Sequence, residues 1–321
     1  MNKKTKQDYL KLVEYFMQVR LKDLGIPITQ KNIKQTLVTC APEYRPAYWR
    51  RLRCALVTQQ REAGFIKAAE AVKATCNPVT AVDAPAKIKA QKKAKQKRRK
   101  HVEKEEHFQL KAYFENKMDH AVLAAIEIAR ILGCRPAEML DLKMLDNDQI
   151  FIMGAKKTAR GTRGLDRTVI VSEHDYNTIS SLKLIFYDEI NFNRHKGKSE
   201  RAMHRIQHRL ATATKKLWPQ RKHQITLYSY RHQMGSDLKG SGLSRKEVAA
   251  IMGHQSVDSV NVYGNKRRSS RDLSIKATDD TIASVRKTKQ KNPNFIADKN
   301  EANKVKNSTK QVTQDGLTKF Y

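Results

Sequence analysis

Residues 226–264 read TLYSYRHQMGSDLKGSGLSRKEVAAIMGHQSVDSVNVYG, and the punctuation of this stretch decides how the chain folds here. Leu227 to Lys239 reads as a helix that stops at the Gly240/Gly242 pair, because glycine takes the backbone conformation that ends a helix without strain. Ser244 with Glu247 makes a capping box for a short helix over 245–252, closed by Gly253, and Ser256 opens another that reaches Tyr263. Short, capped helices of this kind hold Arg231, His232, His254 and Tyr263 at fixed positions rather than on loose loops.

Working outward, the 321 residues leave room for two ordinary domains. Lys and Arg number 64 against 32 Asp and Glu, a formal net charge of +32. Such a surplus repels itself unless a polyanion absorbs it, and the realistic polyanions are nucleic acid and an anionic membrane surface. No run of about eighteen apolar residues exists to span a membrane. The N-terminus MNKKTKQDYLKLVEYF lacks the apolar core of a signal peptide, and the four cysteines are scattered, as in a reduced cytoplasmic protein. Nucleic acid is therefore the expected partner, with no membrane and a nucleoid-associated, cytoplasmic location. With 39% hydrophobic residues the chain can still bury a core.

Residues 1–80 read as a helical lobe, with one helix over 9–24 and a long one over 44–74. Arg50, Arg51 and Arg53 lie beside Tyr48 and Trp49 on the second, a basic stripe suited to a phosphate backbone or simply a solvated face. Residues 81–107 read as a basic linker: 86–100, AKIKAQKKAKQKRRK, holds nine Lys or Arg, including Lys97, Arg98 and Arg99, and no acid. Nothing there is expected to pack, and the run is expected to lie along DNA. From 108 to 265 the pattern is helices around one small antiparallel sheet, with strands over 149–153 and 167–171 joined by the polar turn GAKKTARGTRGLD. Residues 266–321 read as a basic, largely flexible tail with one short helix near 281–286. The expected class is mainly α with a small antiparallel β-sheet.

Arg135, Lys157, Arg231, His254 and Tyr263 form a chemically coherent set. Two guanidiniums can grip phosphate oxygens, a lysine on a hairpin turn can protonate a leaving oxygen, and a tyrosine can attack phosphorus. Guanidinium groups can neutralise the transition state, so neither metal nor cofactor is expected. Taken singly each residue has a plainer reading: Tyr263 as a packed aromatic, His254 as a helix C-terminal histidine, Lys157 as one lysine among many.

Four blocks in order resemble the tyrosine recombinase (phage integrase) family over roughly 108–265: GCRPAEMLDLK at 133–143, the KKT turn, TLYSYRHQMGSDLKGSGL at 226–243, and IMGHQSVDSVNVYG at 251–264. The resemblance implies a two-lobed DNA clamp with a core-binding lobe at 1–80 and a catalytic domain at 108–265. It implies that Arg135 and Arg231 hold the scissile phosphate. Lys157, or its neighbour Lys156, protonates the departing 5′ oxygen, His254 bonds a non-bridging oxygen, and Tyr263 is the nucleophile. Glu138 and His232 are implied as supports. It also implies a homotetramer on two recombination sites, with integration and excision of a mobile element ahead of a Xer-type or transposon role. The second arginine box usually begins with His; here it begins with Tyr228, which can donate a hydrogen bond to phosphate but cannot act as an imidazole acid or base near neutral pH. A competing reading takes 243–264 as a helix-turn-helix of a DNA-binding regulator, and another keeps the recombinase fold without its activity.

Overall fold

The computed structural model describes residues 1, 3–94, 99–155, 164–192, 199–271 and 273–287. The chain divides into two units, Met1–Lys97 and Arg98–Tyr321, each with its own core.

The first unit is helical: α1 (Lys3–Arg20), α2 (Gln30–Thr39), α3 (Pro46–Glu62), α4 (Ile66–Ala74) and the short α5 (Ala86–Ala90). Phe16 of α1, Leu37 of α2, Trp49 and Leu56 of α3 and Val72 of α4 meet in its core. Burying Trp49 would strand its indole N–H, and the Leu37 carbonyl accepts it at 2.8 Å. Two features depart from the sequence reading. The α2 helix was not anticipated; Thr29 caps it by accepting from the Asn32 amide. The single helix read over 44–74 is two, because Gly64 takes a left-handed φ of +81° that turns α4 back onto α3.

In the second unit, helices α6 (Lys104–Asn116), α7 (His120–Leu132), α8 (Glu173–Phe192), α9 (Ser199–Leu217), α10 (Leu227–Gly240), α11 (Arg245–Ile251) and α12 (Asp279–Ala283) surround one antiparallel sheet. Its strands β1 (Leu142–Met144), β2 (Gln149–Ile152), β3 (Arg167–Ile170) and β4 (Lys276–Ala277) lie in the order β1-β2-β3-β4. The α7 helix is buried almost all round and packs against α6, α8, α9 and α10. Asp119 caps its start and Gly133, at φ +56°, ends it, as the sequence indicates. The Ser244/Glu247 capping box also forms. In the sheet, Ile150 pairs with Val169 and Ile152 with Arg167, so the register turns Arg167 toward the core.

Two stretches read as unstructured are partly built in. Within the linker, α6 begins at Lys104, Arg99 ion-pairs with Glu106, and the Arg99 carbonyl accepts from the Ser229 hydroxyl at 2.9 Å. A lysine-rich composition hid these contacts because each uses a single residue. Within the tail, a 3₁₀ turn at Lys266–Arg268, strand β4 and helix α12 belong to the fold, and Ile275, Ala277 and Val285 are buried. Those apolar residues are spread too thinly through a polar stretch to show as a period. Residues 288–321 lie outside the described residues. The last helix of the 226–264 stretch is a six-residue 3₁₀ helix, Val257–Val262, which does not supply the recognition α-helix that a helix-turn-helix needs.

Where β4 ends, Thr281 takes over its pairing: its hydroxyl accepts from the Thr168 amide of β3 at 3.0 Å. Replacing Thr281 with the isosteric valine leaves that part-buried amide without an acceptor. Thr281→Val is expected to lower the unfolding free energy by about 1–3 kcal/mol, read by chemical denaturation.

Candidate active site

The site is assembled around Glu138. Pro136 opens a 3₁₀ helix, Pro136–Asp141, directly after Arg135, and this tight turn brings the Glu138 carboxylate back over the Arg135 amide, which donates to Oε2 at 2.8 Å. The Arg135 guanidinium also donates to Oε1. From β3, Arg167 Nη2 donates to Oε2 at 3.0 Å, and from α10, Arg231 Nη1 stands 3.9 Å from the same oxygen. The Ala155 amide, at the base of the lysine turn, reaches Oε1 at 3.4 Å. One carboxylate thus faces three guanidiniums. Burial raises its pKa, but Arg167, Arg231 and Arg135 outweigh burial and hold it down to about 2. The cluster keeps a surplus of positive charge, and buried N–H groups of all three arginines (Nε in each, and Nη1 of Arg167) have no partner among the described residues.

Arg231 is fully enclosed and ties three elements together. Nη1 donates to the Gly133 carbonyl at the end of α7 at 2.7 Å, and Nη2 to the Met252 carbonyl just past α11. Nη2 also lies 3.3 Å from His254 Nε2. A guanidinium can only donate, so Nε2 is the acceptor and the ring proton is assigned to Nδ1, a buried atom without a partner among the described residues. Burial, then Arg231, Arg135 and Arg167, push the His254 pKa down to about 2. Burial and next Lys100 lower that of His232 to about 4. Both rings are neutral near pH 7.

Tyr263 sits between these imidazoles. Its ring centroid is 4.9 Å from that of His232 and 5.0 Å from that of His254, with the Arg231 guanidinium carbon 5.0 Å from it. The chain around it is clipped to α10. Lys239 donates to the carbonyls of Tyr263 and Gly264, the Ser236 hydroxyl accepts from the Asn265 amide at 2.9 Å, and Asp237 accepts from the Ser270 amide and from Arg271. Contact is so close that a Cβ on Gly264 would lie 2.2 Å from the Ser236 nitrogen, and Gly264 has φ +65°.

The structure therefore brings together Arg135, Glu138, Arg231, His232, His254 and Tyr263. Tyr228, one turn before Arg231, is half-buried and makes no hydrogen bond or ring contact among the described residues. Lys156, Lys157, Lys97 and Arg98 lie outside the described residues. The residues flanking 156–163 are held at the site, the Ala155 amide donating to Glu138 and Gln255 donating to the Gly164 carbonyl at 3.2 Å. On α3, Arg50 and Arg51 are exposed, Arg51 facing Asp8, whereas Arg53 is used internally, donating to the Thr75 carbonyl. Arg167 was missed by sequence reasoning. The available signal was an arginine in phase with Val169 and Val171 on a strand whose alternate positions point inward.

A buried cluster of guanidiniums with surplus charge, beside a phenol, is suited to holding a phosphodiester against a nucleophile. The family comparison agrees: residues 100–269 match the model of the phage integrase family. The chain belongs to that family. It is a tyrosine-type site-specific recombinase, and the reading as a helix-turn-helix regulator falls away. Among solved structures, the recombinase is similar to a lambda integrase dimer bound to a COC′ core site, at 17% identity over 85% of this chain and 74% of that one, with a TM-score of 0.51. It is also similar to the Tn1549 transposon integrase in complex with a circular intermediate DNA, at 15% identity over 83% and 90%, with a TM-score of 0.52. A lambda integrase tetramer bound to a Holliday junction matches at 18% identity over 85% and 74%, with a TM-score of 0.50. No curated protein sequence matches the chain significantly. Among the described residues no helix is long and apolar enough to cross a membrane.

The two imidazoles give the recombinase an acid-sensitive fold. The unfolded chain takes up protons at them as pH falls through 6.5, while the folded site resists until about 4 and about 2. The unfolded state then binds more protons, so stability falls as pH drops below 6.5. His254→Asn is expected to flatten the slope of unfolding free energy against pH between 6.5 and 4, measured by denaturation at several pH values.

Proposed function

We propose that this recombinase cuts and rejoins double-stranded DNA with Tyr263 as nucleophile. The observation that carries the reading is the Tyr263 ring held between two neutral imidazoles, 5.0 Å from the Arg231 guanidinium carbon in a cluster with surplus positive charge. Arg135 and Arg231 hold the scissile phosphate. Tyr263 gives up its phenol proton and its oxygen bonds to phosphorus as the bond to the 5′ oxygen breaks. Lys157, between the held residues Ala155 and Gly164, protonates the departing oxygen. His254 donates its Nδ1 proton to a non-bridging oxygen, which is consistent with the acceptor role of its other nitrogen. The product is a 3′-phosphotyrosine and a free 5′ hydroxyl, which attacks the phosphotyrosine of a partner strand.

The exposed Arg50 and Arg51, together with the basic residues 86–100, supply backbone contacts that fix register rather than sequence. The tetramer that lambda integrase forms on a Holliday junction supports the same assembly here, on two recombination sites. Integration and excision of a mobile element is the favoured setting, supported by the likeness to a transposon integrase, with the protein acting on DNA in the cytoplasm.

A nicked suicide substrate made from flanking DNA tests the chemistry. Wild type is expected to form a covalent protein–DNA adduct, Tyr263→Phe none, and Arg231→Ala at least about 100-fold less per unit time. Tyr228→Phe is expected to slow the reaction and Tyr228→His to be tolerated. An adduct that survives in Tyr263→Phe would remove Tyr263 as the nucleophile.

A further inference from the structure

Arg167, like Arg231, has no part of its side chain exposed. Its Nη2 donates to Glu138 Oε2 at 3.0 Å. The space it fills exists only because residue 253 is glycine: a Cβ there would stand 2.5 Å from Nη1 and 3.1 Å from Cζ. Gly253 directly precedes His254, so Arg167 runs beneath the turn that delivers that imidazole.

What it does is settle a competition. Arg231 Nη1 lies 3.9 Å from the oxygen that Arg167 occupies, too far for a hydrogen bond. Had Arg231 taken that oxygen, its charge would be matched by the carboxylate and its fork drawn away from the Gly133 and Met252 carbonyls that aim it. We propose that Arg167 is a positioning residue of the recombination site: by holding Glu138 Oε2 from beneath Gly253, it keeps that carboxylate off Arg231 and leaves Arg231 for the scissile phosphate. The proposal rests on the reading that Arg135 and Arg231 bind that phosphate.

The groups facing Glu138 are Arg135 and Cys134 from its own segment, Arg167 from β3, Arg231 from α10 and His254 from the turn after α11. Among these, Arg167 is the largest charge effect holding the carboxyl down, and it also helps hold His254 neutral. Removing its charge lets both groups protonate at higher pH, so the acid limb of the cleavage profile moves upward.

The test is single-turnover cleavage of the nicked suicide substrate by full-length variants, across pH, with DNA binding and thermal unfolding measured alongside. Arg167→Met is expected to slow adduct formation by about 10- to 100-fold, with DNA affinity unchanged and the acid limb raised. Arg167→Lys, which keeps the charge but loses the fork, is expected to fall between wild type and the methionine variant. In a Glu138→Gln background, Arg167→Met is expected to cost nothing further, because its effect passes through that carboxylate. A wild-type rate and unmoved pH profile in Arg167→Met would overturn the proposal. Should that variant fail to fold, a wild-type rate in Arg167→Lys would do the same. Wild-type cleavage by Arg231→Ala would instead bring down the phosphate-binding reading, so the two failures are distinguishable.

Discussion

A single carboxylate shared among guanidiniums is the constraint around which the catalytic unit is built. Inside a protein an unpaired charge is costly and a paired one is held firmly, so Glu138 acts as the fixed point for whatever surrounds it. Its own position is local, set by the tight turn that starts at Pro136. Everything else reaches it from far along the chain: β3 through Arg167, α10 through Arg231, and the hairpin base through the Ala155 amide. The end of α7 and the turn after α11 join through the carbonyls that Arg231 engages. Five segments therefore meet at two side chains.

The α10 helix is the second organising element. One turn of it carries Arg231 and His232, and the following turns carry the groups that grip the chain after Tyr263. Small residues make this possible. Gly235 and Ser236 let the Tyr263–Gly264 backbone lie against the helix, and Gly264 accepts a conformation and a closeness that a side chain would forbid. A phenol on a polar, irregular segment is thereby held as closely as one inside regular structure.

Most of the candidate set was legible because arginines, a lysine, a histidine and a tyrosine suited to phosphodiester chemistry fall in four blocks that resemble the family's order. Gly253 and the Ser244/Glu247 box were also read directly, and they mark the two ends of the helix that precedes His254. Arg167 was hidden by the opposite circumstance: it lies within a strand, where a charged residue reads as solvent-facing until the register with Ile152 shows its side. Strand β4 escaped notice since its few residues exert their effect only against a sheet already formed, whereas the short helix expected near 281–286 is present as α12, starting two residues earlier. The break at Gly64 and the α2 helix were lost because composition alone does not say where a helical stretch folds back. The placement of Tyr228 departs from the family pattern in sequence and makes no contact within the cluster that would explain the exchange.

The guanidinium cluster has a thermodynamic side as well. Several of its N–H groups are buried without partners among the described residues, so they bear desolvation that no contact there relieves. An oxyanion seated there would bind the folded state and not the unfolded one, stabilising the fold by mass action. Stability and activity are thus opposed at this place: an apolar residue in the Arg167 slot would relieve the idle fold of a buried charge while disabling the site. A search for thermostable variants would drift toward that exchange, so an unrelieved cluster of arginines is itself a mark of selection for work on an anion rather than for endurance.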